Sequence, residues 1–490
     1  MTIHQRPRDI GRRYAADLDS KDRLKFLRKE FIIPTKGDLK SARLSAPSTK
    51  SSNDNKPCIY FCGNSLGLQP RKTQERIQSH LAAWAKKGVL GHFTEHEDST
   101  LPPFLHVDDA AAQLMGPLVG ARSENVAVME TLTANLHLLM ASFYRPTSKK
   151  FKIIIEGKAF PSDHYAVESQ IRHHGFDPKE AMIILEPESS ERATLSSSSI
   201  ISAIERYATS TALILLPGIQ YYTGQYLDIK AITAAAHANN IIIGWDLAHA
   251  VGNVIIELDE WDVDFAVWCT YKYVNSGPGA IGGLYVNQKF GKVEGLSQEN
   301  EIASYQPRLS GWWGGDKSIR FEMGKEGAAG FQVGNPSALA LTAVIASLEV
   351  FGMTSMKLIR EKSVALTNYL EELLLHPPMP NDLGAGDLPY EIITPSDSSQ
   401  RGAQLSVRLR SGLLEGVMKG LEQAGAIVDE RKPDVIRVAP APLYNSFEEV
   451  WDFVTIFVKA CAEAQRGLIN GVEEAQSLKG RDQKGWAEVK

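Results

Sequence analysis

Short apolar runs alternate with amphipathic stretches through the middle of the chain, and that alternation sets the expected architecture. The apolar runs predict strands over 126–129, 152–156, 182–185, 212–216, 241–244 and 264–269. Between and before them, apolar residues at three- and four-residue spacing predict helices over 72–86, 108–118, 135–142, 164–174, 199–209 and 229–239. Strands separated by helices build crossover units and a mainly parallel sheet. After Asn335-Pro336 the pattern changes. Long helices over 337–351 and 355–375 and a Pro-rich break over 376–389 precede strands over 404–409 and 435–438 and helices over 413–424 and 446–464, a smaller α+β domain. Near the start, Leu18, Leu24, Leu27 and Phe31 predict one helix over 15–31, ending before Pro34. Ser-rich pieces over 36–56 and 186–199 read as a flexible insertion and a surface loop. The domain expectation is 1–57 for the N-terminal helix and insertion, 58–335 for a large domain and 336–490 for a small one.

Composition narrows the partners. The chain has 490 residues, 43% hydrophobic and 23% charged, with a net charge of −5 and no long block of one sign. A nucleic-acid surface and a polybasic membrane patch are both unsupported, which favours a small-molecule partner. Cysteines at 58, 62, 269 and 461 are too few for a disulfide framework, and the first residues lack the apolar core of a secretory signal, so a reducing, cytoplasmic setting is expected. Cys58 and Cys62 are followed by no second Cys or His pair nearby, so no metal site is expected.

Chemistry concentrates between Ile241 and Gly283. A β-branched run delivers Asp246 to the rim of a sheet, where ligands bind in parallel α/β folds. A second run carries Lys272 into a loop whose Gly277, Gly279, Gly282 and Gly283 let backbone approach a bound group. A pyridoxal phosphate enzyme needs a lysine to condense with the aldehyde and a carboxylate to keep the ring nitrogen protonated, and Lys272 and Asp246 suit those roles. Taken singly, a capping aspartate and a solvated lysine are the simpler readings; the glycine loop beside them favours the cofactor.

Further candidates surround this pair. Leu132 and Thr133 open a helix whose N–H groups suit a phosphate, although Thr133 as a plain N-cap fits equally. Phe160, Pro161, Ser162 and Asp163 start another helix; Phe160 could lie on a planar ring and Asp163 could bond a ring substituent, or the segment is an ordinary helix start. His249 follows Asp246 by three residues and shares its side if the turn is helical, Tyr271 offers a phenol, and Tyr273 is expected to point away along an extended segment. Trp312, Trp313 and Asn335 sit in Gly-bounded turns and are expected to line a cleft. Arg437 lies between apolar neighbours and needs a partner: a substrate carboxylate or a structural ion pair.

The motifs Tyr60-Phe61-Cys62-Gly63-Asn64-Ser65-Leu66-Gly67-Leu68-Gln69-Pro70, Phe160-Pro161-Ser162-Asp163, Tyr222-Thr223-Gly224-Gln225, Asp246-Leu247-Ala248-His249-Ala250-Val251-Gly252-Asn253, Tyr271-Lys272-Tyr273 and Ile436-Arg437-Val438-Ala439-Pro440 together resemble the kynureninase family over about residues 58–460. The resemblance implies an α/β, aspartate-aminotransferase-like fold (type I of the pyridoxal phosphate enzymes) and a homodimer. It implies Lys272 as the cofactor lysine and Asp246 as the ring-nitrogen partner. Leu132, Thr133, Phe160, Pro161, Ser162, Asp163, His249, Tyr271, Trp312 and Asn335 complete the cofactor set. For the substrate it implies Arg437 at the α-carboxylate, Ser65 and His92 nearby, and Trp313 facing the aromatic ring. The implied reaction is hydrolysis of L-kynurenine, or its 3-hydroxy form, to anthranilate or 3-hydroxyanthranilate and L-alanine, in tryptophan degradation and NAD biosynthesis. Tyr271 is expected to relay a proton. The rival enzyme reading is a cysteine-desulfurase-like or aminotransferase relative.

Overall fold

The structure, a computed structural model, describes residues 10–44, 52–187, 193–292, 306–315, 325–379, 383 and 387–474. The chain forms two compact units, a larger one of Leu66–Tyr221 and Gln225–Met356 and a smaller one of Met1–Ser65, Tyr222–Gly224 and Lys357–Lys490. These divisions fall at Leu66 and Lys357, where the sequence pattern had suggested 58 and 336. Helix Ala338–Phe351 goes with the larger unit because it packs on helices Arg71–Lys87 and Val107–Met115.

The larger unit is built on a seven-stranded sheet. Its strands are β1 (Val126–Val128), β2 (Lys152–Glu156), β3 (Met182–Leu185), β4 (Thr211–Pro217), β5 (Ile242–Asp246), β6 (Phe265–Trp268) and β7 (Gly283–Val286). The order across the sheet is β1-β7-β6-β5-β4-β2-β3. β6, β5, β4, β2 and β3 run parallel; β7 is antiparallel to both its neighbours. β7 was not expected, because Gly282 and Gly283 mask it as loop. Its glycines have a packing reason: a Cβ at Gly283 would meet the Trp268 indole at 2.5 Å. Ile153, Ile155, Leu213, Leu215, Phe265 and Val267 make one buried face, against which helices Leu132–Phe143 and Pro161–His173 lay their apolar sides. Burial on both faces explains why these strands read as unbroken apolar runs.

The smaller unit contains β8 (Tyr390–Ile392), β9 (Leu405–Leu409), β10 (Asp429–Arg431) and β11 (Val435–Val438), ordered β10-β11-β9-β8 and antiparallel throughout. Helices Leu414–Ala424 and Phe447–Glu474 pack together, and Val417, Leu421, Val450, Phe453, Val454 and Phe457 belong to this unit's core. The last helix runs ten residues past the expected end at Ala464. The expected helix over 15–31 is instead an α-helix, Arg12–Lys21, and a 3-10 helix, Lys25–Glu30. The break lies at Asp22, whose carboxylate accepts the Leu24 N–H at 2.8 Å and pairs with the buried Lys362 ammonium at 2.8 Å. Such a local acceptor competes with the helix ladder.

Of the Ser-rich piece over 36–56, residues 45–51 lie outside the described part; Lys36–Lys40 is a short helix with a Thr35/Asp38 capping box. In the piece over 186–199, residues 188–192 likewise lie outside, and helix Ser197–Tyr207 begins on a Ser196 cap. Part of the break over 376–389 is also outside.

Candidate active site

The carboxyl ends of the parallel strands carry the larger unit's chemistry. β2 ends on Glu156 and β5 on Asp246, with β4 between them. Asp246 accepts the Ala248 N–H at 2.7 Å, which fixes one carboxylate oxygen against the following turn. That turn is helical, since the Val251 N–H reaches the Leu247 carbonyl at 3.1 Å, and it buries His249, whose carbonyl accepts from Asn253 at 2.8 Å.

Lys272 is 9% exposed, with its Nζ 5.7 Å from the Phe160 ring centroid and 5.6 Å from that of Tyr271. The segment around it is a turn rather than an extended run: the Asn275 N–H closes on the Lys272 carbonyl at 3.0 Å. Tyr273 is buried there instead of continuing a strand alternation. Burial, then the neighbouring Cys269 thiol, pushes the Tyr271 phenol well above its usual range, so it stays a proton donor at neutral pH.

Phe160 occupies the N-cap position of helix Pro161–His173 and meets the Tyr221 ring edge-on at 5.3 Å. Asp163, in the first turn, is buried and hydrogen-bonds Asp246, while its Oδ1 has no hydrogen-bond partner among the described residues. Burial first, Asp246 next and then Glu156 raise the Asp163 carboxyl well above the carboxylate range; the nearby Lys272 acts the other way. Ser162 follows Pro161 in the same first turn.

Leu132 and Thr133 begin helix Leu132–Phe143, but the cap is Thr131, whose hydroxyl accepts the Ala134 N–H at 3.3 Å. The plain-cap reading of Thr133 is therefore corrected: it lies inside the first turn. Gly282 passes against this turn, where a Cβ would stand 3.0 Å from the Leu132 nitrogen.

His92 ends the 3-10 helix Gly88–His92, its ring edge-on to Phe104 at 5.7 Å and its Nδ1 buried without a partner among the described residues. Trp312 is 69% exposed and Asn335 is exposed. Trp313 is corrected. It is 1% exposed and donates its indole N–H to Asp108 at 2.7 Å, so it anchors the turn that displays Trp312 rather than presenting a face to a substrate ring.

The smaller unit holds Ser65 and Arg437. The Ser65 N–H reaches the Cys62 carbonyl at 3.0 Å, and burial pushes the Cys62 thiol up to about 12. Arg437 is buried; Asp429, its partner in the β10–β11 register, accepts from Nε at 2.9 Å and from Nη2 at 2.8 Å. The ion-pair reading of Arg437 thus has its partner. All four cysteines are free and buried, and no group of three or more residues that could hold a metal occurs among the described residues. Sequence reasoning passed over Glu156 and Gln220, whose side chains hydrogen-bond each other. The available signal was a carboxylate directly after the apolar run Ile153–Ile155.

Residues 107–381 match the class-V aminotransferase family. The fold agrees with a cystine C-S lyase, C-DES, solved as a mutant with glycine covalently linked to its PLP cofactor (TM-score 0.66, 14% identity, 82% of this chain and 96% of that one). It agrees also with a cysteine desulfurase from Thermococcus onnurineus (TM-score 0.62, 15% identity, 83% and 95%). The chain is thus an enzyme of the class-V aminotransferase fold.

Within that class the relatives are specific. Residues 359–457 match the kynureninase C-terminal domain. Kynureninase 1 of Aspergillus oryzae is 57% identical over 464 residues, covering 94% of this chain and 95% of the relative, and kynureninase of Coccidioides immitis is 58% identical over 458 residues, covering 92% and 94%. The chain belongs to the kynureninase family.

Proposed function

We infer that this enzyme hydrolyses the Cβ–Cγ bond of L-kynurenine and of its 3-hydroxy form, releasing anthranilate or 3-hydroxyanthranilate and L-alanine. The observation that carries the reading is full-length membership of the family combined with the lysine, phenyl ring and acid cluster of the larger unit.

The residues fit the cofactor. Glu156, Asp163 and Asp246 crowd together around one lysine, and Asp246, with the other two held neutral by burial, would pair with a protonated pyridine nitrogen. The unpartnered Oδ1 of Asp163 is a buried acceptor in need of a donor. The Leu132–Phe143 N-terminus, with the Thr133 hydroxyl, suits the phosphate. Lys272, Asp246, Thr133, Phe160, Asp163 and His249 would hold the group. When bound, it supplies an electron sink for carbanions formed on the substrate.

The chain's own residues do the rest. The Lys272 amine would be the base that takes the substrate α-proton at Nζ. The Asp246 carboxylate would keep a proton on the ring nitrogen of the bound group. The Tyr271 phenol, kept protonated by its burial, relays a proton to carbon through Oη. Arg437, steadied by Asp429, binds the substrate α-carboxylate, with Ser65 and His92 near the remainder of the substrate. Trp312 and Asn335, both exposed in one chain, and the apolar surface of Trp84, Val89, Leu90 and Phe93 support a homodimer in which a second copy covers them. No single helix among the described residues is long and apolar enough to cross a membrane. Four free, buried cysteines support a reducing, cytoplasmic setting. A desulfurase reading would need a mobile cysteine, whereas Cys269 is buried beside Tyr271.

The test is product analysis with L-kynurenine. Equal amounts of anthranilate and alanine are expected, with both lost in Lys272→Ala together with the borohydride-reducible cofactor absorbance. Cofactor-loaded protein that leaves kynurenine intact would overturn the reading.

A further inference from the structure

Glu156 is a buried acid to which none of the steps above gives a role. It is 4% exposed, at the end of β2, on the same rim as Asp246: Ile155 pairs with Leu215 of β4, and Leu215 pairs with Gly244, two residues before Asp246. The acidic groups acting around it are Asp246 from β5 and Asp163 from helix Pro161–His173, and the ammonium within that cluster is Lys272. Glu186 stands beside the adjoining backbone, 2.6 Å from where a Gly157 Cβ would be.

The polar partner of Glu156 is the Gln220 side chain. Gln220 is fixed in turn, its N–H on the Gln225 carbonyl at 2.8 Å and its side-chain nitrogen 3.4 Å from the Lys158 carbonyl. Gln225 is itself clamped to Leu195, accepting from its N–H at 3.0 Å and donating to its carbonyl at 2.6 Å. The Glu156 carboxyl is therefore held by a rigid amide rather than by a cation.

A second full anion beside Asp246, sealed from water, is expensive, and the group yields by keeping its proton. Burial, the largest influence on Glu156, pushes it in that direction; the hydrogen bond from Gln220 works against it and Asp246 adds to the rise.

We propose that Glu156 is a positioning residue for the carboxylate that meets the cofactor ring: held as the neutral acid, it fixes the Gln220 segment and backs Asp246 without competing for the ring's positive charge. This rests on Asp246 being the ring-nitrogen partner, as inferred above.

The experiment has two arms. In the first, infrared spectra of the cofactor-free protein are taken at neutral pH. Wild type should show a protonated carboxyl C=O stretch that Glu156→Gln removes; a spectrum with no such band lost would overturn the proposal. In the second, pyridoxal phosphate is titrated in and the pH midpoint of the Lys272 adduct absorbance is read. Glu156→Leu removes the carboxyl that the Gln220 amide bonds and should weaken cofactor binding roughly tenfold, whereas Glu156→Gln restores it to within about threefold and holds the midpoint within about 0.3 pH unit. A midpoint moved by about a full unit in Glu156→Gln would mean that an anion had been removed, and the proposal would fall. It would fall equally if the leucine variant bound cofactor like wild type. Should the leucine variant not fold, the infrared arm and the glutamine midpoint decide. Neither arm uses substrate, so a protein that fails to cleave kynurenine would refute the activity without touching this result.

Discussion

Gly67→Ala tests how closely the chain is packed behind Lys272. A Cβ at Gly67 would stand 2.2 Å from Asn275 Oδ1 and 2.3 Å from the Lys272 carbonyl oxygen. Close carbon–oxygen contacts in proteins lie at about 3.3 Å, so the methyl overlaps two atoms by about 1 Å each. Neither can step aside. The Asn275 amide donates to the Tyr273 carbonyl at 2.6 Å, and the Lys272 carbonyl accepts the Asn275 N–H at 3.0 Å. Gly67 cannot retreat easily either, because its own N–H is bonded to the Tyr271 carbonyl at 2.8 Å. Overpacking costs about 1–3 kcal/mol, and with a backbone atom in the way about 3 is expected. For a unit of this size that lowers the melting temperature by about 6–9 °C. The strain falls on the backbone of Lys272, and a displacement approaching 1 Å at a reacting group costs roughly 100-fold in rate. Thermal unfolding of the cofactor-free protein reads the first effect, turnover of L-kynurenine by the loaded enzyme reads the second, and an absorbance titration with pyridoxal phosphate checks that cofactor still binds. Gly467→Ala is the control: a Cβ there meets nothing within 4 Å, on an exposed stretch of helix Phe447–Glu474, and should stabilise by about 1 kcal/mol. If Gly67→Ala melted within about 2 °C of wild type and bound cofactor normally, the packing argument would be wrong.

Three further outcomes are expected. Asp163 holds a proton in the folded state that the unfolded chain releases above about pH 4, so its contribution is complete at low pH and lost as pH rises. Cofactor-free Asp163→Asn should therefore gain stability over wild type as pH rises above about 4 in urea midpoints, and a pH-independent difference would contradict this. Arg437→Lys replaces a planar fork by a point charge and should raise KM for kynurenine about 10- to 100-fold with a smaller change in kcat; an unchanged KM would remove Arg437 from the substrate site. Tyr271→Phe should lower turnover by about 100-fold or more while cofactor absorbance stays near wild type, and wild-type turnover would end its proton-relay role.

Legibility in the sequence followed the physics of each signal. The parallel strands were readable because burial on both faces demands continuous apolar residues, as in Ile153 to Ile155 and Leu213 to Leu216. β7 was not, because its glycines are there to admit the Trp268 indole, a contact that no local pattern announces. The helix over 15–31 was overextended because its interruption depends on Lys362, some 340 residues away, drawing Asp22 out of the ladder. Among site residues, Lys272 and Asp246 could be paired through their strand and loop contexts, whereas Thr131 rather than Thr133 as the cap is a matter of backbone angles at one residue.

Sequence alone determined the alternation of the parallel strands with their helices, the lysine and acid on which the cofactor proposal rests, and the family. These are carried by local periodicity and by motifs whose residues are neighbours along the chain. Only the tertiary structure decided that Glu156, Asp163 and Asp246 share one buried place, that Trp313 is anchored on Asp108 while Trp312 faces outward, and that Arg437 has Asp429 at its side. Burial and charge balance belong to groups brought together from distant positions, and their energies exist only once the chain has closed around them.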